Sequence, residues 1–471
     1  LSVRANSGPS IARVIDALNA FEIQVLEALM VLAEPIKLKD LEKVTDSAAR
    51  FAYKKFEDLC LIYEGVIPTQ VREAIGAEPA GLGPRSLTKL DLKMLSDAPE
   101  SAKKVMDALC WGPPRGSVGD IKNPGPGIAW LLERHFVVPL DQRHVVMPAE
   151  VAIHLRGGKV HKELASNAPE LMGKKYNQSD IDRAAIANIS NVLRWCEEIL
   201  NFWGETAPNA LRAGGLGVRD LKDAAQHLGV TEGCAAFVAE LCYLSGLVAI
   251  DADETIAPTN LFDIWLTQDF ENKWRNLVSL WLITSRVSGL VGRSDQKFSA
   301  LGPELDRVSA ANIRTRILEE LRANIELSPT LDSFAQRMKW LAPLRRGTNL
   351  RDDLVKWTLE ECEWLGITGL GALSTFAAEL LEGDDDLGVN AALPTPIDFI
   401  TIQSDQTAIA PGPLQHDLAV ELSQMADIES RGAATVYRFT ESSIRRGLDH
   451  GKSSTEIIKF LSQISKTALP Q

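Results

Sequence analysis

The strongest constraint on the fold lies in residues 398–471, where short apolar runs and helix signals alternate at close spacing. Two β-like runs flank a tight polar turn, and a third β-like run follows a predicted helix. Two further helices are marked by a threonine cap and by a serine and a glutamate at capping-box spacing. The predicted elements are strands at 399–402, 407–410 and 434–439, and helices that begin at Pro413, after Thr440 (ending at Gly451) and after Ser453. This region is therefore predicted to be a small α/β domain.

The sequence upstream repeats a pattern of short helices, polar turns and paired β-like runs. Its clearest copy has a helix ending at Gly229, a helix capped by Thr231, and β-like runs at 247–250 and 254–257. Helix, turn, helix and hairpin in this order are typical of a winged helix. We therefore predict a mainly α protein with small β wings, built from tandem winged-helix (helix-turn-helix) units and ending in the small α/β domain. The predicted domains are 1–84 (winged-helix-like), 85–165 (winged helix), 166–268 (helical plus winged helix), 269–386 (helical, with a candidate fourth winged helix) and 387–471 (α/β).

Periodicity within these units predicts which side chains are buried. In the first unit, four apolar residues recur at helical spacing and are expected to face the core: Phe51, Phe56, Leu59 and Ile62. Six tryptophans between residues 265 and 364 are expected to pack in the core rather than to form a stacking platform: Trp265, Trp274, Trp281, Trp340, Trp357 and Trp364. The run 383–386, a glycine and three aspartates, is expected to be a solvated linker rather than a metal site, because no further ligands cluster near it.

Composition and charge restrict the function classes. The chain is 45% apolar and 24% charged, as in soluble globular proteins, and no apolar run approaches the roughly 18 residues of a membrane span. Six scattered cysteines without a C-x-x-C pair indicate a reducing compartment, without disulfides or structural zinc. The net charge of −13 means that only a local basic face can bind nucleic acid. We expect a cytoplasmic protein, or one associated with the nucleoid if such a face binds DNA.

The sequence contains no catalytic motif that we can assign. There is no H-E-x-x-H, no G-x-S-x-G and no P-loop of the form G-x-x-x-x-G-K-[ST]. The segment Gly451-Lys452-Ser453 has Arg446 where a P-loop needs its first glycine, and it joins two predicted helices rather than following a strand. We therefore expect a non-enzymatic protein with no catalytic residues, no metal and no cofactor.

Basic residues supply the candidate binding sites. Lys and Arg exceed Asp and Glu between residues 85 and 162, and Arg143 falls on the predicted wing tip. The candidates for DNA binding are Arg50, Lys54, Lys55, Lys103, Lys104, Arg134 and Arg143. The candidates for docking of a partner or DNA in the last domain are Arg431, Tyr437, Arg438, Arg445 and Arg446. The alternative is that these charges are ordinary solvated helix faces.

Several landmarks of the last domain occur at fixed spacing. They are Asp405 in the first turn, Tyr437 in the third strand, Thr440-x-x-Ser443-Ile444, Gly451 eight residues after Ser443, and Ser465-Lys466-Thr467 followed by Pro470. This succession resembles the N-terminal domain of XPB-type DNA helicases and the related domain of actinobacterial helicase-associated proteins. The upstream winged helices resemble, in architecture only, the non-motor subunit that docks on XPB in the eukaryotic transcription and repair complex.

Three hypotheses for the function follow. The first, implied by the resemblance, is a non-catalytic accessory protein that scaffolds or modulates an XPB-type DNA helicase in DNA repair or transcription. The second is a winged-helix transcription regulator, which would bind one DNA sequence strongly and with a marked salt dependence. The third is part of a helicase whose motor lies outside this sequence.

Overall fold

The computed structural model describes residues 7–251, 253–293, 298–343, 350–393, 396–431 and 434–470. Helices dominate and are accompanied by small antiparallel sheets, which confirms the predicted mainly α class with small β elements. Large clusters of buried apolar side chains lie within residues 11–160, 185–389 and 400–464. Among the described residues, no helix is both long and apolar enough to cross a membrane. The assignment of individual units as winged helices stays a prediction.

The described part of the N-terminal region contains eight α-helices and one three-stranded sheet. Its elements are α1 (Gly8–Asp16), α2 (Ala20–Val31), α3 (Leu38–Val44), α4 (Ala49–Asp58), α5 (Thr69–Ile75), α6 (Glu100–Cys110), β1 (Arg115–Ser117), α7 (Pro126–Glu133), β2 (Val138–Pro139), β3 (His144–Val146) and α8 (Ala149–Leu155). The strand order is β1-β3-β2, and β2 and β3 form the hairpin predicted for the second unit. The domain boundary predicted between residues 84 and 85 runs through the buried cluster of this region.

A tight hairpin follows α4 in the first unit. Tyr63 and Val66 bridge each other across Glu64 and Gly65, both of which have positive φ. A Cβ at Gly65 would come within 2.8 Å of the Ile36 carbonyl oxygen, so this turn requires glycine. The Ile36 N–H donates to the Gly65 carbonyl at 2.8 Å and fixes the hairpin to the segment before α3.

The burial predicted for α4 is only half correct. Phe56 is fully buried and Ile62 is 1% exposed, as expected, but Phe51 is 76% exposed and Leu59 is 38% exposed. The reason is that α4 turns Ala49, Ala52 and Phe56 toward the core, which places Phe51 on the opposite side of the helix.

The central region is built around one long helix. Its elements are β4 (Gly173–Lys175), α9 (Gln178–Glu205), α10 (Val218–Leu228), α11 (Glu232–Leu244), β5 (Val248–Ile250), β6 (Ile256–Pro258), α12 (Leu261–Leu266), α13 (Phe270–Ile283), α14 (Ala310–Ala323), β7 (Leu327–Pro329), α15 (Leu331–Leu341), α16 (Leu350–Leu365), β8 (Thr368–Gly369), β9 (Ala372–Leu373), α17 (Thr375–Glu382) and α18 (Val389–Ala392). Strands pair as β4–β7, β5–β6 and β8–β9.

The elements of the third unit form where the sequence predicts them. Helix α10 ends at Gly229, which has a left-handed backbone, and the Thr231 hydroxyl caps α11 by accepting from the Cys234 N–H. The hairpin β5–β6 follows, and the Asp251 carboxylate closes its turn by accepting from the N–H and hydroxyl of Thr255.

Three of the six tryptophans predicted to pack in the core are fully buried, and the other three, Trp340, Trp357 and Trp364, are partly buried and pack against the apolar clusters. Trp265, Trp274 and Trp281 are at most 2% exposed. The Trp274 indole N–H donates to the Leu365 carbonyl at 2.7 Å, and the Trp281 indole N–H donates to the Glu361 carboxylate at 2.7 Å. Such rings are unavailable for stacking on a ligand.

The run 383–386 is solvated, as predicted, but its backbone is anchored to a neighbouring helix. The Arg275 guanidinium donates to the carbonyls of Asp384 and Asp385, and the buried Glu271 carboxylate accepts from the N–H groups of Leu387 and Val389. Leu387 and Val389 belong to the central buried cluster. The aspartate side chains are exposed, but their backbone is anchored on α13 because arginine satisfies its carbonyls.

The C-terminal module is a four-stranded antiparallel sheet with three helices. Its elements are β10 (Thr401–Ile402), β11 (Thr407–Ala410), α19 (His416–Ser423), β12 (Asp427–Arg431), β13 (Thr435–Arg438), α20 (Glu441–Asp449) and α21 (Ser454–Ile464), and the strand order is β10-β11-β13-β12. The predicted α/β character is thus confirmed, although strand β12 was not predicted. The helix predicted from Pro413 begins at His416 instead, because Leu414 first forms a parallel bridge with Ile397.

Candidate functional site

Four helices stand second in the helix pair of a predicted winged-helix unit and are therefore the candidates for groove contact: α4, α7, α11 and α16. Their surfaces differ greatly. In α11 the nine residues 234–242 are all buried, so this helix has no face for a ligand. Helix α7 has the sequence PGIAWLLE and carries no basic residue. Helix α16 contains five acidic and two basic residues between 350 and 365, which disfavours phosphate.

Helix α4 is the exception, because it exposes basic side chains. The Arg50 guanidinium donates to Glu42 at 2.9 Å and to the Ser47 carbonyl at 3.1 Å, and its side chain remains 55% exposed. Lys55 donates to Glu22 at 2.6 Å and is 46% exposed. Lys54 is exposed and makes no hydrogen bond or ion pair with any residue that the structure describes. All three candidates from the sequence thus lie at the surface of one short helix.

The candidates of the second unit are divided between two elements. Lys103 and Lys104 are exposed on α6, and Arg143 is exposed in the turn of the β2–β3 hairpin, at the predicted wing tip. Arg134 is folded back on its own helix: its guanidinium lies 4.5 Å from the Trp130 ring centroid and donates to the Trp130 carbonyl and to Glu133. Arg134 is therefore less available to a phosphate than the other three.

The polar face of α20 is the most prominent surface of the C-terminal module. Thr440 and Ser443 form a reciprocal capping box at its start, and the buried Ser443 hydroxyl also donates to the Met425 carbonyl at 3.0 Å. A shallow surface depression lies along the outer side of this helix, lined by Thr440, Glu441, Ser442, Arg445, Arg446, Asp449 and His450. The capping box thus fixes the helix that presents these groups.

The arginines of this module differ in their partners. Arg438 forms a two-pronged pair with Glu429, at 2.9 and 3.0 Å, and Arg446 donates to Asp427 at 2.7 Å. Arg445 is exposed and has no hydrogen-bond or ion-pair partner in the described part of the chain. The side chain of Arg431 lies outside the described residues.

Tyr437 does not lie on the docking surface predicted for it. It is 6% exposed and belongs to the buried cluster of the module, because it lies opposite the buried Ala408 on the face of the sheet that packs against the helices. Asp405, in contrast, lies in the β10–β11 turn, where it accepts hydrogen bonds from the hydroxyl and N–H of Thr407. The Thr407 hydroxyl is the main reason why the pKa of Asp405 is lower than its ordinary value.

The Ser-Lys-Thr segment closes one edge of the sheet. The Thr467 hydroxyl donates to the Ile402 carbonyl at 2.9 Å and accepts from the Ile402 N–H at 3.1 Å, beside a parallel bridge between Ile400 and Ser465. The Lys466 ammonium lies 3.3 Å from the Phe399 ring centroid. The role of these residues within the module is thus to cover strand β10.

Among the described residues, no group of three or more His, Cys, Asp or Glu side chains is placed to hold a metal ion. The glycine of Gly451-Lys452-Ser453 has a positive φ between α20 and α21, and Ser453 forms a capping box with Glu456. This segment ends one helix and begins the next, as expected from the sequence.

Comparison with known proteins identifies the C-terminal module as helicase-related. Residues 400–471 match the family model of a helicase conserved C-terminal domain. No curated protein matches the chain. The match covers the sheet and helices of the module and none of the helical region before it.

Proposed function

We propose that this protein is a non-catalytic accessory protein of an XPB-type DNA helicase, which it scaffolds or modulates in DNA repair or transcription. The observation that carries the proposal is the helicase-related module at residues 400–471, in a sequence that contains no P-loop. The module would dock on the similar domain of the helicase or on DNA, and the helical units would hold it in place.

The outer face of α20 is the surface proposed for docking. It combines Arg445, which has no partner among the residues that the structure describes, with the carboxylate of Asp449 and the imidazole of His450. Charged groups at the rim of an interface set orientation and partner choice, and reversing one of them weakens association. Arg438 and Arg446 are already paired within the module, so they support its fold more directly than its docking.

The experiment is a capture assay with the purified full chain and the XPB-type helicase of the same organism. We expect wild-type protein to bind the helicase and to change its DNA-stimulated ATPase rate, while hydrolysing no ATP itself. Arg445→Glu is expected to weaken capture about tenfold. Lys459→Glu is the matched control, because Lys459 is an exposed cation of α21 in the same module.

Three outcomes would contradict the proposal. The first is ATP hydrolysis by the purified chain, and the second is a wild-type protein that neither binds the helicase nor alters its rate. The third is an equal loss of capture in both variants, which would show a general charge effect rather than docking through α20. Tight, sequence-selective binding of duplex DNA would favour the transcription regulator instead.

A further inference from the structure

Helix α4 displays an aromatic side chain among its basic residues. Phe51 is 76% exposed, and it stands between Arg50 and Lys54 in the sequence. Residues three and four apart share a helix face, so Phe51, Lys54 and Lys55 lie on the same side of α4. The two acidic residues of the helix, Glu57 and Asp58, are at its other end. A phenylalanine this exposed has no role in the core of its own unit.

The charges around Phe51 are available to an anion. Lys54 has no partner within the described residues, and the ion pairs of Arg50 with Glu42 and of Lys55 with Glu22 are partly solvated. The Arg50–Glu42 pair is the more solvated of the two and contributes little free energy, so Arg50 can turn to a phosphate at small cost. The face therefore offers two or three cations around one apolar ring.

We propose that this face of α4 binds single-stranded nucleic acid, with a base stacked on Phe51 and the phosphates neutralised by Arg50 and Lys54. Basic residues that surround an exposed aromatic ring are the general means of binding unpaired strands. A duplex is a poorer ligand for this face, because its bases are already stacked on one another and offer Phe51 no unpaired base. The inference rests on the proposed function, since a helicase produces the single strands that the accessory protein would hold.

The test is fluorescence anisotropy of the full chain with a labelled oligothymidylate at low salt, compared with a duplex of the same length. We expect the single strand to bind more tightly than the duplex. Phe51→Ala should weaken binding of the single strand about five- to a hundredfold, whereas Phe51→Trp should preserve it. Lys54→Ala should weaken binding and lower the slope of log affinity against log salt by roughly 0.7.

Two matched controls accompany these variants. Ile283→Ala removes an apolar side chain that is 75% exposed at the end of α13, and Lys222→Ala removes an exposed cation of α10. Neither control should change the affinity. The wild type should bind an oligonucleotide with abasic sites less tightly than the intact strand. Phe51→Ala should bind the two oligonucleotides equally, because that variant has no ring on which a base can stack.

The proposal is overturned if the single strand does not bind, if Phe51→Ala binds it normally, or if the duplex binds more tightly. It is also overturned if Phe51→Ala abolishes helicase capture while oligonucleotide binding is unchanged, since the face then docks protein. Failure of the proposed function gives a different result. In that case the wild type does not capture the helicase, but it still binds single strands in a way that depends on Phe51.

Discussion

Replacing Ser443 by alanine should destabilise the C-terminal module selectively. The Ser443 side chain is fully buried, and its oxygen accepts from the Thr440 N–H at 2.9 Å while its hydroxyl donates to the Met425 carbonyl at 3.0 Å. Loss of half of a capping box costs about 1 kcal/mol. Leaving a buried carbonyl without a donor costs about 1–3 kcal/mol. The expected loss is therefore about 2–4 kcal/mol.

Native-state hydrogen exchange measures this loss where it occurs, because the chain has several cores and a single unfolding free energy would be ill defined. Amides of α20 that exchange through opening of the module should exchange about 30 to 1,000 times faster in Ser443→Ala. Ser442→Ala is the matched control: Ser442 is exposed, and within the described part of the chain its hydroxyl bonds to the hydroxyl of Thr440 alone, at 2.9 Å. Equal exchange in the two variants would refute the assignment of Ser443 as the group that fixes α20.

Two further predictions concern single side chains, one in the same module and one in the central region. Thr407→Val should raise the pKa of Asp405 toward its ordinary value in an NMR titration, because the variant lacks the hydroxyl that most strongly stabilises the carboxylate. In the wild type this depressed pKa stabilises the module at neutral pH, and the effect is lost as the pH falls through the folded-state pKa; an unchanged pKa would contradict this cause. Glu240→Ala should destabilise the central region by about 3–5 kcal/mol, because it leaves Arg286, bound at 2.6 and 3.0 Å, without its counter-charge in the interior. Calorimetry should show a lower transition temperature for the central region, and an unchanged transition would contradict the importance of this pair.

Local signals in the sequence predicted the helix boundaries well. The caps at Thr231, Thr440 and Ser453 and the stop at Gly229 all occur in the structure, because each depends on hydrogen bonds between residues close in the chain. The hairpins of the second and third units form near their predicted positions for the same reason. The resemblance of the last domain, in turn, depended on such local landmarks at fixed spacing.

Local signals could not predict which side of a helix or strand faces the core, or which strands pair with one another. Strand β12 shows no apolar alternation, because its residues 428–430 are exposed at the edge of the sheet and a register shift interrupts its pairing. Tyr437 was assigned to the surface, but alternation along β13 turns it to the buried face of the sheet, opposite Ala408. For Phe51, helical spacing was compatible with either side of α4, and only the packing of Ala49, Ala52 and Phe56 decides which side faces the core.

The recurrence of a helix-turn-helix pattern says little about how many nucleic-acid surfaces a chain has. Helix α11 is surrounded by the rest of the central region, and its buried Glu240 binds Arg286 and the Leu301 N–H inside that core. Such a helix contributes packing, as its apolar sequence requires. Helix α4 keeps one basic face in solvent, in a chain whose net charge of −13 opposes phosphate elsewhere. The same helix-turn-helix pattern is therefore compatible with two roles, packing in a core and contact with a nucleic acid. The distribution of exposed charge, rather than the pattern itself, decides which helix can contact a nucleic acid.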